Sequence, residues 1–154
     1  MITRDLLTVS VAIIGGLAVG IQAVMNGRAG RAMGSIPAGL LIYISGGLIA
    51  AGLLVALLSF TNAVDWGAAR RAAPFIVTAG ACGIVIVTSL AFAVARIGVA
   101  AGLSAVLFGQ YLVAIIVDTV GWGDIEPVPL RPERLAGLVL LGVATFLLLP
   151  NQNG

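Results

Sequence analysis

The chain has 154 residues, of which 60% are hydrophobic and only 9% are charged, and its formal net charge is +2. Soluble domains carry about 25% charged residues, so this composition excludes an ordinary soluble protein and predicts a membrane protein. The arginines lie mostly at the edges of apolar runs, so nucleic acid is not an expected partner.

Five apolar segments are predicted to cross the lipid bilayer as helices, because a helix of about 20 residues spans the hydrocarbon and satisfies its own backbone groups. No stretch between them has the length or composition of a linker, so residues 1–154 are predicted to form a single five-span transmembrane domain. The first segment is not expected to be a cleavable signal peptide, because Gln22 and Asn26 interrupt the cleavage region. The predicted spans are residues 6–25, 38–60, 72–95, 98–121 and 132–149.

The connections between the later spans differ in length. Only a tight turn at Gly98 separates the third span from the fourth, so these two are predicted to be antiparallel neighbours. Pro132 and Glu133 suit the first turn of a helix in the fifth span. That span has a short apolar part between Arg134 and Pro150, so it crosses only if Arg134 snorkels or the bilayer thins locally.

Two polar residues occur near the end of the first span. Gln22 and Asn26 are four residues apart and therefore share one helix face. Polar groups in hydrocarbon are costly, so each needs a partner. The pair either caps or solvates the end of the helix, or contributes to a solute-binding surface.

The fourth span carries a stripe of polar side chains. Ser104, Tyr111 and Asp118 recur every seven residues, and Gln110 lies about 100° to one side of Tyr111, near mid-membrane. Gln110 either forms a hydrogen bond between helices or lines a polar cavity. Asp118 opposes the helix dipole, so it is expected to pair with Arg131 or Arg134, in a structural ion pair or as a gate or proton-coupled group.

Most of the 21 glycines are interpreted as sites of close helix packing. Gly16 with Gly20, and Gly98 with Gly102, have the four-residue spacing with which helices approach each other closely in membranes. The chain contains one cysteine, Cys82, and no histidine, so neither an internal disulfide nor a His/Cys metal site is expected. Without paired carboxylates or an activated nucleophile, no enzymatic activity and no cofactor are expected.

Three stretches resemble the YdcZ family, whose five-span members belong to the drug/metabolite transporter superfamily. They are "GIQAVMNGRAGRAMGS", "GQYLVAIIVDTVG" and "RPERLAGLVLLGVATFLLL". The most specific elements are Gln22 with Asn26, Gly109 with Gln110, and Asp118 with Gly121. The arginine-rich "NGRAGRAMG" departs from the family pattern, which has a more apolar residue three positions after the asparagine.

The resemblance implies an all-α membrane protein that forms half of a ten-helix transporter in the bacterial inner membrane. Family members occur as antiparallel homodimers, as pairs of oppositely oriented paralogues, and as fused chains. Because five spans place the termini on opposite sides, two copies inserted in opposite senses would form an inverted repeat. The eight arginines divide five to three between the two sides, a bias weak enough for dual topology.

The expected function is alternating access by a secondary transporter that moves a small polar or amphipathic solute. Gln22, Asn26, Gln110 and Tyr111 are the candidate substrate-binding residues, and Asp118 is the candidate gate or proton-coupled group. The alternative is a non-transporting membrane subunit that packs against a larger partner through its small residues. A channel is less expected, because no ring-forming charge occurs at mid-depth.

Overall fold

The structure, a computed structural model, describes residues 2–61, 63–122 and 126–150. Within these ranges the chain forms five α-helices and no strand, which confirms the predicted all-α class. The helices are α1 (Ile2–Met33), α2 (Ser35–Phe60), α3 (Trp66–Ile97), α4 (Val99–Val120) and α5 (Pro132–Leu147).

Helices α1 to α4 are long and apolar enough to cross a membrane. Helix α5 has 16 residues, which at about 1.5 Å per residue is shorter than a typical hydrocarbon core of about 30 Å. The fifth predicted span is therefore a helix, and its crossing of the bilayer stays a prediction.

Two helices extend well beyond the apolar runs. Helix α1 continues to Met33, where the sequence predicted a span that ends at residue 25, because its small residues pack on α3. Gly27 contacts the side chain of Val94, and a Cβ at Gly30 would lie 2.8 Å from the carbonyl oxygen of Ala91. Helix α3 begins at Trp66 and not at residue 72, because the carboxylate of Asp65 accepts hydrogen bonds from the backbone N–H groups of Gly67 and Ala68.

Glycines in unusual backbone conformations separate consecutive helices. Gly34, between α1 and α2, has φ of 89°, and Gly98, between α3 and α4, has φ of 84°. Side chains disfavour such positive φ values, and glycine adopts them at little cost. Gly102 packs against Val94 across the second break, which confirms the predicted tight turn at Gly98 between antiparallel neighbours.

The buried core is small and lies where α1, α3 and α4 meet. Ala23, Leu90 and Val94 form its centre, and partly buried side chains of α4 pack against it. Helix α3 contacts α1, α2 and α4, whereas α5 contacts only α4 among the described helices. Large apolar side chains over the first half of α1 and most of α2 stay exposed, so these surfaces face lipid or another protein.

Candidate solute site

A cavity of about 510 Å³ is lined by residues of α4 and α5. One end carries the carboxylate of Asp118 and the guanidinium of Arg134, and the walls are otherwise mostly apolar. We name this cavity the α4–α5 cleft. Its lining residues are Tyr111, Ala114, Ile115, Asp118, Arg134, Gly137, Leu138 and Leu141.

The charged end of the cleft is an ion pair. Nη1 of Arg134 donates to Oδ2 of Asp118 at 3.2 Å, which confirms the prediction that an arginine after the fourth span pairs with this carboxylate. The side chains of Arg134 and Asp118 are 35% and 36% exposed, so both charges can be reached from outside the protein. The backbone carbonyl of Asp118 also accepts from the N–H of Val128 at 2.8 Å, which holds the connecting segment against the end of α4.

Tyr111 lines the same cleft two helical turns before Asp118. The residue is 54% exposed, and its hydroxyl forms no hydrogen bond to the described residues. The predicted seven-residue stripe therefore places a phenolic hydroxyl and a carboxylate in one cavity. Ser104, the third residue of that stripe, donates instead to the carbonyl of Ala100 in its own helix.

Gln110 lies in a different cleft, between α3 and α4. This cavity of about 670 Å³ also contains Cys82, Ser89 and Gly109. The Gln110 side chain is exposed and forms no hydrogen bond within the described part of the chain. The amide thus does not join helices of this chain in this conformation.

Gln22 faces a third cleft, of about 340 Å³, where α1, α2 and α3 meet. Tyr43 lines the same cleft, and its ring packs where Gly83 leaves room for it. Sequence reasoning missed Tyr43, although an aromatic hydroxyl inside an otherwise apolar span is a signal that could have found it.

Asn26 is completely buried, and neither its amide nitrogen nor its amide oxygen has a hydrogen-bond partner. It lies inside α1, seven residues before the last helical residue, so its interpretation as a helix cap or an interfacial residue is wrong. An unpaired buried amide costs about 1–3 kcal/mol. The packing of α1 on α3 thus holds Asn26 in an unfavourable environment in this conformation.

Of the five candidate residues, Tyr111 and Asp118 share one of the three clefts identified among the described helices. Gln22 and Gln110 line separate clefts, and Asn26 lines none of the three. No group of acidic, histidine or cysteine side chains among the described residues could hold a metal ion. One chain therefore presents its polar groups on several open surfaces.

Comparison with known proteins identifies one family. A family described as "Putative inner membrane exporter, YdcZ" matches residues 7–147, which is nearly the whole chain. No curated protein and no solved structure matches the chain.

Proposed function

Because the chain belongs to the YdcZ family of multi-pass inner-membrane proteins, we propose that it is a subunit of a secondary transporter. In this proposal the subunit moves a small polar or amphipathic solute across the membrane by alternating access. The family's description as an exporter supports a transport role.

The observation that carries the proposal is the distribution of the polar side chains. Gln22, Gln110 and Tyr111 lie in three clefts that open at the surface of a single chain. Secondary transporters commonly bind their solutes between two repeats of opposite orientation, near the middle of the bilayer. A second copy, or an oppositely oriented paralogue, would enclose clefts that one chain leaves open.

Rows of glycine that contact no other described helix of the chain support a second chain as the partner. A Cβ added at Gly16 or Gly20 of α1, or at Gly46 or Gly47 of α2, would meet no atom within 4 Å. Small residues let helices approach closely in membranes, so an open row of them is suited to contact with another helix. We propose that the partner is a second copy in the opposite orientation, which gives an antiparallel homodimer.

The candidate residues have two kinds of role in the proposed transporter, solute binding and gating. Gln22, Gln110 and Tyr111 donate or accept hydrogen bonds to the solute from the walls of the enclosed cavity. Asn26 joins them only when α1 and α3 separate, since it is fully covered in this conformation. Asp118 acts as the gate or proton-coupled group when its ion pair with Arg134 opens.

Reconstitution of the purified chain into liposomes tests the proposal. A radiolabelled probe set of an aromatic amino acid, an aromatic amine and a neutral amide should include a solute with saturable flux. Asp118→Asn should lower that flux at least about tenfold. Arg131→Gln should leave the flux unchanged, because the Arg131 side chain forms no hydrogen bond or ion pair to the described residues and only its backbone carbonyl accepts hydrogen bonds, from Arg134 and Leu135. Flux that requires a second, unrelated membrane protein would instead support the non-transporting subunit.

A further inference from the structure

We propose that the α4–α5 cleft binds a zwitterionic amphiphile, a solute with one ammonium group, one anionic group and an apolar body. The ammonium lies against Asp118, the anionic group against Arg134, and the apolar body between α4 and α5. The inference deepens the proposed function, on which it rests for the role of Asp118 and Tyr111.

The ion pair supplies the charge argument. Asp118 and Arg134 share one contact of 3.2 Å, and the described residues offer neither side chain another side-chain partner. A solute with a single charge that pairs with one member takes it from the other, so it exchanges one ionic contact for one and gains little. A zwitterion pairs with both charges at once, so it separates them without leaving either one alone.

The cleft has a polar end and an apolar end. Asp118 lies in the last turn of α4 and Arg134 in the first turn of α5, at the end where the polar connection between the two helices lies and where the predicted spans reach the membrane surface. Tyr111 and Leu141 are each seven residues farther in, about 10.5 Å along their helices. The walls between are apolar, so an amphiphile fits with its charged head near the surface and its body toward the membrane centre.

Room for the body is provided by Gly137. A Cβ at this position would meet no atom within 4 Å, although its neighbours Arg134 and Leu141 line the same cleft. The volume of about 510 Å³ is in the range of small-molecule sites. Helix α5 packs only against α4 among the described helices and has no buried residue, so α5 can shift outward without breaking other helix contacts.

Equilibrium binding to the purified full chain in a non-ionic maltoside detergent tests the inference. Three probes share one aromatic body: L-phenylalanine with both charges, L-phenylalanine amide with only the ammonium, and N-acetyl-L-phenylalanine with only the carboxylate. We expect the zwitterion to bind at least about tenfold more tightly than either singly charged probe. Equal affinities for the three, or no saturable binding of L-phenylalanine, would overturn the inference.

Two variants separate recognition from folding. Gly137→Leu should abolish L-phenylalanine binding by filling the cleft while it keeps the ion pair, and the matched Gly52→Leu, also in open space on α2, should bind as the unmodified chain does. The double variant D118N/R134Q should remove the tenfold preference for the zwitterion. Unchanged binding by Gly137→Leu would place the probe elsewhere and contradict the inference.

A membrane phospholipid with an ammonium and a phosphate shares this head-group chemistry. Binding is therefore repeated in nanodiscs of phosphatidylglycerol, with and without phosphatidylethanolamine. Unchanged affinity for L-phenylalanine supports a free solute, whereas weaker binding of L-phenylalanine by the unmodified chain when phosphatidylethanolamine is present would make the lipid the occupant and overturn the proposal. Selective binding without flux would contradict the proposed transport alone, and flux without zwitterion selectivity would contradict this inference alone.

Discussion

Asp118 and Arg134 join the last turn of α4 to the first turn of α5 through a single contact of 3.2 Å between Oδ2 and Nη1. Both side chains are about one-third exposed, and ion pairs of this kind contribute only about 0.2–1 kcal/mol to stability. A residue pair that stabilises the fold so little can be separated by a ligand or a helix movement.

Neutralising either member should therefore affect transport much more than folding. Asp118→Asn and Arg134→Gln are each expected to lower the free energy of unfolding by no more than about 1 kcal/mol. Flux into liposomes should fall at least tenfold in both variants. Thermal unfolding in detergent measures the change in stability, and Arg131→Gln is the matched control. A loss of more than about 3 kcal/mol in the free energy of unfolding would show that the ion pair mainly stabilises the fold.

Adding a methyl group at two glycines of α1 should give opposite results. A Cβ at Gly30 would lie 2.8 Å from the backbone oxygen of Ala91, so Gly30→Ala must push α1 away from α3. Overpacking of this kind costs about 1–3 kcal/mol. Gly16→Ala meets no neighbour in the chain and should stabilise the isolated helix by up to about 1 kcal/mol, which thermal unfolding can measure.

The Gly16→Ala variant also tests the dimer contact. If the open face of Gly16 and Gly20 packs against a second chain, Gly16→Ala should weaken the dimer while the single chain stays folded. Light scattering across a range of protein-to-detergent ratios distinguishes the dimer from the single chain. An unchanged dimer in Gly16→Ala would show that lipid, and not another copy, covers this face.

The number of helices could be predicted from the sequence, because an apolar segment in hydrocarbon has no other way to satisfy its backbone. The ends of α1 and α3 could not be predicted this way. Gly27 and Gly30 are held in a helix by contact with Val94 and Ala91, and that contact depends on which helices become neighbours. Hydropathy marks the apolar segment, whereas packing and the Asp65 cap set the helix ends.

The candidate site was predictable only in part, for a related reason. A carboxylate at the negative end of a helix dipole needs a cation, and Arg134 was within reach, so the ion pair could be expected. Helical periodicity gives the face on which Gln22 or Gln110 lies, but not the helix opposite that face. The separate clefts of these two residues, and the burial of Asn26, follow from tertiary packing.

Replacing Asn26 by leucine should stabilise the conformation described above. Leucine has the same branching as asparagine and removes an amide that is buried without a partner, and such replacements are neutral or stabilising. The melting temperature of Asn26→Leu should be unchanged or higher. Its flux should fall, because the conformation in which the amide meets solute becomes less favourable.

Thiol labelling gives a second measurement on Asn26. The chain's single cysteine, Cys82, is exposed and must first be replaced by alanine. In that background, Asn26→Cys should react slowly with a thiol reagent, and faster once a transported probe is added. Equal, rapid labelling in both conditions would contradict a buried resting position for residue 26.

Gln110 distinguishes a cavity role from a structural one. Its amide is exposed in the α3–α4 cleft and forms no described hydrogen bond, so Gln110→Leu should change the free energy of unfolding by about 1 kcal/mol or less. Solute flux should fall severalfold if the amide lines the transport path. Normal flux in a dimer of unchanged stability would remove Gln110 from the site.

Orientation in the membrane is decided by few charges. Five arginines lie on the predicted side of the N-terminus and three on the other, and the lysine-free chain has no further fixed cation to strengthen this bias. The contacts of Gly27 and Gly30 with α3 place Arg28, Arg31 and Arg96 at one end of the bundle. The sequence predicted that these three arginines lie together on the side opposite the N-terminus. Loops with more arginine or lysine are retained in the cytoplasm, so the side with five arginines, which carries the N-terminus, is only weakly favoured to face the cytoplasm.

We therefore expect dual topology, with C-terminal reporters scoring on both sides of the membrane. Two arginines added next to Arg31 should draw that end to the cytoplasm and increase the form with the C-terminus inside, because α5 then ends on that side. Two arginines added next to Arg70 should have the opposite effect.

Each variant alone should lose flux, because it lacks the opposite orientation, and co-expression of the two variants should restore flux. A reporter that scores on only one side would refute the dual-topology homodimer, and matching sides for both termini would show that α5 does not cross.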